Sequence, residues 1–444
     1  MIDRELRAWL DGHVNLERGI GRPANVARVE SPTLARIQEL TLLMGSPQLD
    51  FASVHLTGTN GKTSTARITA AILQAAGNKV GTYTSPNLER INDRMTVDGE
   101  EVTDERFDEL LRTVRTVEPH LSAPPSYFEI LTAAAFYWFC DEAVDVAVVE
   151  VGLGGTWDAT NILDAEVAVI TNIAIDHVEY LGPTREGIAR EKAGIITPMT
   201  SVVLGETDPE LIGIFEAREP QHLVLRERDF GVRSNRLAVG GRLIDITTPT
   251  TSYHDVFLSL HGAHQADNAA AALAAAELFI GEVLPDVVVR AALATVTSPG
   301  RLEVVGRQPF VVLDGAHNVA GAESLRAALA DDFLPAPRTM VVGFLDEKDP
   351  KEMLSALGID DVRHLIACRA PSPRACDPAV IAQAAEDLGL DSDQIEIAET
   401  VSEAIGMALM ETPDDGQIVI TGSLYVVGEA RGSKAFSKRA HNDR

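Results

Sequence analysis

Residues 55–68 read "HLTGTNGKTSTARI". Gly58 and Gly61 sit between an apolar run and a segment of helical character, and Lys62 and Thr63 follow the second glycine directly. A strand that feeds glycines and then Lys-Thr at a helix start can cradle phosphate, because backbone N–H groups and the positive helix end face the anion while the ammonium reaches the terminal phosphates. Thr63 is then placed to offer its hydroxyl to Mg²⁺. The pattern G-x-x-x-x-G-K-[ST] is not met, since Leu56 stands five positions before Gly61; the cradle is the shorter G-x-x-G-K-T. ATP or GTP is the expected ligand, and the bland alternative is a Gly-rich turn before a surface helix.

Outward from this loop, short β-branched runs alternate with Ala-rich helical patterns, as in parallel βαβ units. Strands are expected at "FASVHLT" (51–57), "KVGTYT" (79–84), "VDVAVVEV" (144–151), "EVAVIT" (166–171) and "SVVLG" (201–205). Between the first two, Ile68, Ala71, Ile72 and Ala75 keep helical spacing and Gly77 supplies a stop. A second series follows "TSPGRLEVV" (297–305), with strands at 310–314, 339–344, 364–368 and 417–422. The expected fold is α/β: a phosphate-loop ATPase-type domain with a parallel sheet over 1–298, a smaller Rossmann-like domain over 299–431, and a frayed polar tail over 432–444. Residues 219–256 alternate without long helices and read as an antiparallel excursion.

Composition narrows the function. A chain of 444 residues with 45% hydrophobic content exceeds what one core accommodates, so two domains are the natural expectation. With 38 Lys+Arg against 66 Asp+Glu the net charge is −28, which argues against nucleic acid or an anionic membrane surface as partner. An anionic ligand must then be held by local donors against an unfavourable overall field. Cys140, Cys368 and Cys376 show no C-x-x-C spacing, so neither a zinc site nor a disulfide framework is suggested and a reducing cytoplasm is expected. No signal-peptide-like stretch opens the sequence and nowhere do about 18 apolar residues run together.

The ends of the next strands carry further chemistry. "VDVAVVEVGLGG" ends its apolar run at Glu150, a carboxylate at the edge where parallel sheets bind ligands. "NIAIDHVEYLG" puts Asp176 and His177 past the same edge. Carboxylate, imidazole and phosphate oxygens around one hard cation make a Mg²⁺ shell, although His is a less usual Mg²⁺ ligand than oxygen. In "VGLGGTWDATN" (151–161) the third position of a G-x-G-x-x-G fingerprint is Trp157, so a dinucleotide site is not indicated.

With these residues in place, the chain resembles the folylpolyglutamate synthase and dihydrofolate synthase group of the Mur-ligase superfamily. The resemblance is carried over nearly the whole length by "TGTNGKTST" (57–65), "YTSPNL" (83–88), "SYFEILT" (126–132), "VEVGLGGTWDATN" (149–161), "DH" (176–177), "EKAGI" (191–195), "HQADNAAAAL" (264–273), "PGRLE" (299–303) and "DGAHN" (314–318). It implies ATP-dependent joining of L-glutamate to a pteroate or folate carboxylate, across a cleft between the two domains, within a single chain that needs no partner. It implies that Gly58, Thr59, Asn60, Gly61, Lys62, Thr63, Asn268, Arg301 and Asp314 contact ATP. Thr63, Ser85, Glu150 and His177 would bind Mg²⁺, with Lys192 as an N6-carboxylysine holding a second ion. Lys62, Lys192, His177 and His317 form the implied catalytic set. Ser126, Tyr127, Phe128, Trp157, Asp158 and Ala159 match the pteroate pocket, with 31–33 a weaker match.

Two positions depart from the family pattern: Thr156 stands where Arg commonly follows the double glycine, and Asn87 where His commonly follows Ser-Pro. Both bear on substrate preference rather than on the phosphate loop. Two other readings stay open, a cell-wall Mur ligase, which carries an extra domain before the phosphate loop, and a phosphate-loop nucleotide switch. Whether the chain makes dihydrofolate, extends folates or does both is left open by the residues.

Overall fold

The computed structural model describes residues 3–18 and 33–437. Ser31 and Pro32 of the weaker pteroate candidate, and residues 438–444 of the tail, lie outside them; the tail's Lys434–Ser437 form one helical turn. The chain divides into two compact units. One comprises Met1–Ala238, Leu243–Ser259 and Gln265–Thr297; the other comprises Val239–Arg242, Leu260–His264 and Ser298–Arg444. Among the described residues no helix is long and apolar enough to cross a membrane.

The first unit is built on strands β1 (Ala52–Thr57), β2 (Val80–Tyr83), β3 (Met95–Val97), β4 (Glu100–Glu101), β5 (Val146–Glu150), β6 (Val167–Ile170), β7 (Ser201–Leu204) and β8 (His222–Leu225). They form one sheet in the order β4-β3-β2-β5-β1-β6-β7-β8. The pairings β2–β5, β5–β1, β1–β6, β6–β7 and β7–β8 are parallel, and only β3 and β4 run antiparallel at one edge. Buried on both faces, the central strands read as unbroken Val/Ile/Leu/Ala runs, the pattern a helix-covered parallel sheet requires. Because β5 and β6 flank β1 in parallel register, the loops after Thr57, Glu150 and Ile170 emerge at one carboxyl edge. That edge is where open α/β sheets take ligands. The stretch 219–256 resolves into two parts: β8 joins the large sheet, while β9 (Gly231–Ala238), β10 (Gly241–Thr247) and β11 (Ser252–Leu258) make a separate three-stranded sheet in the order β11-β10-β9.

In the second unit, β12 (Glu303–Arg307), β13 (Phe310–Leu313), β14 (Arg338–Val342), β15 (His364–Cys368), β16 (Ile395–Ala398) and β17 (Gln417–Thr421) form a sheet ordered β12-β13-β17-β14-β15-β16. It is parallel apart from the antiparallel β12–β13 hairpin. The core against it gathers Leu325, Leu329, Met340, Phe344, Leu354 and Leu365, all nearly inaccessible. The α/β class with a large parallel-rich sheet and a second mixed sheet is as the sequence reading has it. The strands not anticipated, β3, β4, β8, β12 and β16, are short or lie toward sheet edges, where one side of the strand lacks a partner and the apolar alternation is weak.

Candidate active site

The phosphate loop leaves β1 and turns at once into the helix Lys62–Ala75. Gly61 caps that helix at φ +83° with no side-chain cap, so the first-turn N–H donors are not claimed by a capping side chain. Both glycines are required by close approach as well as by dihedral angle. A Cβ on Gly58 (φ +150°) would lie 1.9 Å from Thr171 Oγ1, and one on Gly61 would lie 2.6 Å from Asn268 Oδ1. The loop is also laced to the segment after β6. Asn60 N–H donates to Asn172 Oδ1 (3.0 Å), and Asn60 C=O accepts from Asn172 Nδ2 (3.0 Å) and Thr171 Oγ1 (2.6 Å). Thr59 N–H donates to the Asn172 carbonyl (3.0 Å), and the Thr59 hydroxyl lies 3.0 Å from both the carbonyl and the N–H of Ala174. These bonds fix the cradle before any anion arrives.

Two lysines converge on one carbonyl. Lys62 Nζ donates to Gly58 O (3.0 Å) and Thr59 O (3.1 Å), and Lys192 Nζ donates to Gly58 O (2.7 Å). Lys192 ends the helix Arg185–Lys192 and is only 4% exposed. Burial first, and the Lys62 charge second, pull its ammonium down to about 7. Among the described residues no carboxylate lies within ion-pair distance of its Nζ. A small cavity opens here, lined by Gly58, Thr59, Lys62, Gly152–Gly154, Asp176, His177 and Lys192. The Lys62 ammonium and the N–H donors of the cradle, facing one small cavity in a strongly acidic chain, are suited to an anion such as polyphosphate.

The acidic and hydroxyl groups divide into two sets. Thr63 Oγ1 donates to Glu150, with 3.1 and 2.9 Å to its two oxygens, and Ser85 N–H approaches Glu150 Oε2 at 3.3 Å. Glu150 is 1% exposed and Ser85 6%. A carboxylate with the Thr63 hydroxyl on it and Ser85 beside it in the chain fold is an oxygen-bearing set that fits a hard dication such as Mg²⁺. His177 belongs to the other set: it sits at φ +48°, its backbone N–H donates to Asp176 Oδ1 (2.8 Å), its ring Nε2 is 3.9 Å from Asp176 Oδ2, and its side chain is 41% exposed at the cavity. Among the described residues no three His, Cys, Asp or Glu side chains are grouped to hold a metal. β5, which carries Glu150, and β6, which leads to His177, flank β1, so both residues follow strands that end at the same sheet edge.

The residues matched to the pteroate pocket are partly structural. Ser126 caps the helix Tyr127–Asp141 in a reciprocal box: its hydroxyl accepts from Glu129 N–H (3.2 Å) and its N–H donates to Glu129 Oε2 (2.6 Å). Tyr127 is 2% exposed, with the Arg94 guanidinium 5.9 Å from its ring centroid. Phe128 stacks on Tyr83 (6.0 Å, 26°) and borders Gly152, where a Cβ would lie 2.7 Å from its ring and 3.2 Å from Asp158 Oδ2. Asp158, 3% exposed, thus shares a wall with Phe128; Ala159 is buried beside it and Trp157 is half-buried. Burial pushes the Asp158 carboxyl up, against the pull of donors from Thr160 and Leu153. Both departures from the family pattern find partners. Thr156 Oγ1 donates to Glu191 C=O (3.1 Å), tying the glycine loop to the end of the Lys192 helix, and Asn87 Oδ1 accepts two bonds from Arg94 (3.1 and 2.9 Å).

Asn268 is 9% exposed on the helix His264–Ile280, far from the phosphate loop in sequence, yet its carboxamide packs on Gly61. Its Nδ2 donates to Gln265 Oε1 (2.9 Å), and Gln265 Nε2 reaches Ser64 Oγ at 3.4 Å. In the second unit, Arg301 follows Gly300 (φ +70°) and donates to Gly315 O (3.0 Å). Asp314, 7% exposed, accepts from Leu302 N–H and Ala316 N–H (2.9 Å each); burial raises its carboxyl while the nearby Arg301 lowers it. His317 Nδ1 is 2.8 Å from the same Gly315 carbonyl, which fixes that nitrogen as the protonated one.

Four contributors escaped sequence reading. Thr171 and Asn172 hold the phosphate loop, and the pair Arg185–Glu206 holds the loop before His177, through Arg185 Nε on Ile173 C=O (3.0 Å) and Ile173 N–H on Glu206 Oε2 (3.0 Å). A Thr-Asn directly after the strand run was the visible signal for the first two; the second pair spans 21 residues and left none.

A phosphate-loop sheet joined in sequence to a second α/β unit with "PGR" and "DGAHN" turns is the build of a Mur-type ligase. Accordingly, residues 56–276 match the Mur ligase middle domain, and residues 300–424 match the Mur ligase glutamate ligase domain. The dihydrofolate synthase/folylpolyglutamate synthase of Mycobacterium tuberculosis is 39% identical over 442 residues, covering 90% of this chain and 89% of its own. A solved structure of the M. tuberculosis folylpolyglutamate synthase complexed with ADP superposes with a TM-score of 0.88 at 39% identity, covering 96% and 97% of the two chains. The E. coli FolC structure in complex with DHPP and ADP gives 0.85 at 27% identity, covering 99% and 98%. The chain belongs to the dihydrofolate synthase/folylpolyglutamate synthase family, and is an ATP-dependent ligase.

Proposed function

We propose that this ligase joins L-glutamate to the carboxylate of a folate, and also to that of dihydropteroate, through an acyl phosphate. The observation that carries this reading is the pairing of a preformed phosphate cradle and its two lysines with the adjoining wall of Phe128 and Asp158, all on one sheet edge. A carboxylate is a poor acyl donor. Its oxygen attacks the γ-phosphorus, the bond to ADP breaks, and the glutamate amine then attacks the acyl carbon, releasing phosphate and a proton. No enzyme nucleophile is needed, so catalysis consists of positioning and charge neutralisation. Lys62 balances the β- and γ-phosphate charge from the helix N-terminus. Mg²⁺ bound by Thr63, Ser85 and Glu150 would supply further neutralisation of phosphate charge. Gly58–Thr63 and Asn268 hold the phosphates, while the nucleotide roles of Arg301 and Asp314 and the catalytic role of His317 rest on the family motifs. Ser126 and Tyr127 shape the acid pocket from behind, and Phe128, Trp157, Asp158 and Ala159 border it.

Lys192 is proposed to be an N6-carboxylysine, its carbamate helping His177 to hold a second Mg²⁺. Its burial and the absence of an ion-paired carboxylate favour the free amine that reacts with CO₂. Every residue invoked comes from one chain, so a monomer is the proposed working unit. Amide formation assayed with dihydropteroate and with tetrahydrofolate in parallel tests the reading. Turnover of both, each requiring ATP and L-glutamate, supports a bifunctional enzyme, turnover of one assigns the chain to that half-activity, and turnover of neither rejects the substrate class.

A further inference from the structure

Three fully buried polar side chains connect the strand that leads into the phosphate loop with the wall of the acid pocket. His55 on β1 is 1% exposed, Thr160 0% and Asp158 3%. His55 Nε2 lies 2.8 Å from Thr160 Oγ1, and Thr160 Oγ1 donates to Asp158 Oδ1 at 2.5 Å. The direction of the chain follows from proton inventory. With three donors on its two oxygens the Asp158 carboxyl acts as an acceptor, so the single Thr160 hydroxyl hydrogen goes to Asp158, and Thr160 Oγ1 must accept from His55, whose Nε2 therefore carries its hydrogen. Burial holds the imidazole neutral by pushing its value down to about 3.

The consequence lies on the carboxylate. Oδ1 takes both the Thr160 hydroxyl and the Thr160 N–H (3.0 Å), while Oδ2 takes Leu153 N–H (2.9 Å) and faces Gly152 and Phe128. We propose that His55 and Thr160 are positioning residues for the acid substrate: their hydrogen-bond relay clamps Oδ1 and so presents Oδ2 beside the Phe128 ring to a flat heteroaromatic bearing N–H donors. This rests on the folate reading above and goes beyond it, since neither residue touches substrate. His55 is two residues before Thr57, so the same strand that aims the phosphate cradle sets the carboxylate that aims the acid. Nothing else in the reaction uses this imidazole.

The relay is tested by pairs that keep or remove the hydrogen bond. Thr160→Val should raise KM for the pteroate or folate substrate about tenfold, the cost of a bond to a charged group, and leave KM for ATP within about twofold. Thr160→Ser, which keeps the hydroxyl, should recover most of the loss. His55→Leu should behave as Thr160→Val, and His55→Gln, with an amide N–H in place of Nε2–H, should recover. An unchanged acid-substrate KM in Thr160→Val, or equal loss in the Val and Ser variants, overturns the relay. Should these variants fail to fold, ¹⁵N NMR of the wild-type enzyme decides: a neutral Nε2–H tautomer for His55 between pH 5 and 8 supports the relay, and an Nδ1–H tautomer or an imidazolium overturns it. Failure of the wild type to use any pteroate or folate rejects the functional reading instead, which separates the two claims.

Discussion

Lys192 Nζ lies 2.7 Å from the carbonyl oxygen of Gly58, the residue at which β1 becomes the phosphate loop. Lys62 reaches the same oxygen from its other neighbour, at 3.0 Å. One peptide carbonyl thus holds both lysines at the mouth of the cradle, and an arriving polyphosphate, with far more charge than a carbonyl, can draw the Lys62 ammonium away from it.

Replacing Lys62 by alanine should therefore lower kcat by about 10²–10³, the range seen when one donor to developing charge is removed. The lysine does not fill the core, so the thermal midpoint should stay within a few degrees of wild type. Retention of more than a hundredth of the turnover would take Lys62 out of the phosphoryl-transfer step.

Carboxylation of Lys192 should depend on pH in a defined sense. Its folded value of about 7 lies below the ordinary 10.5, so the ammonium dominates below about 7 and the reactive amine above it. Incorporation of ¹³CO₂, followed by the carbamate ¹³C signal, should rise from pH 6 to pH 8. The same depression means the fold binds fewer protons than the unfolded chain between about 7 and 10.5, so this group's contribution makes stability increase with pH across that window. Lys192→Ala should be nearly inactive and partly restored by an added short carboxylic acid, and Lys192→Arg should not recover. A fully active, metal-loaded enzyme with a bare ammonium at this position would remove the carbamate.

Asn172 makes two hydrogen bonds to the backbone of Asn60, so Asn172→Ala strips the loop of a donor and an acceptor together. The Asn60 carbonyl keeps the Thr171 hydroxyl (2.6 Å), so the cost falls mainly on the Asn60 N–H, about 1–3 kcal/mol for a lost buried hydrogen bond. The expected result is an ATP KM raised about tenfold with a much smaller change in the acid-substrate KM. Equal effects on both would mean that the lacing supports the whole edge rather than the cradle.

Arg301 and Asp314 are joined through the Gly315 turn of the second unit, and substitution of either is expected to weaken ATP binding measured by calorimetry. Unaltered ATP affinity in both variants would confine the nucleotide contacts to the first unit.

The strands around the phosphate loop were legible in the sequence because each is a short buried run bounded by turn residues and ended by a chemically distinctive residue, Thr57 or Glu150. Edge strands such as Glu100–Glu101 carry no such signature, since their residues answer to solvent. In the site, residues contiguous with the glycines could be read directly. The placement of Glu150 and His177 on either side of the phosphate loop could not, because it depends on β1 lying between β5 and β6, and strand order is not written in any one segment. Likewise His55 looked like one more strand residue until Thr160, 105 positions away, was found against it.

Activation of the acid substrate by phosphorylation of its own carboxylate can be followed with a folate or dihydropteroate labelled with ¹⁸O in the carboxylate that is joined to glutamate. The oxygen that attacks the γ-phosphorus stays with phosphorus when the amine displaces it. One ¹⁸O should therefore appear in inorganic phosphate for each amide formed, read by the isotope shift of its ³¹P signal. Phosphate free of ¹⁸O, released at the same rate as amide, would contradict the acyl-phosphate route.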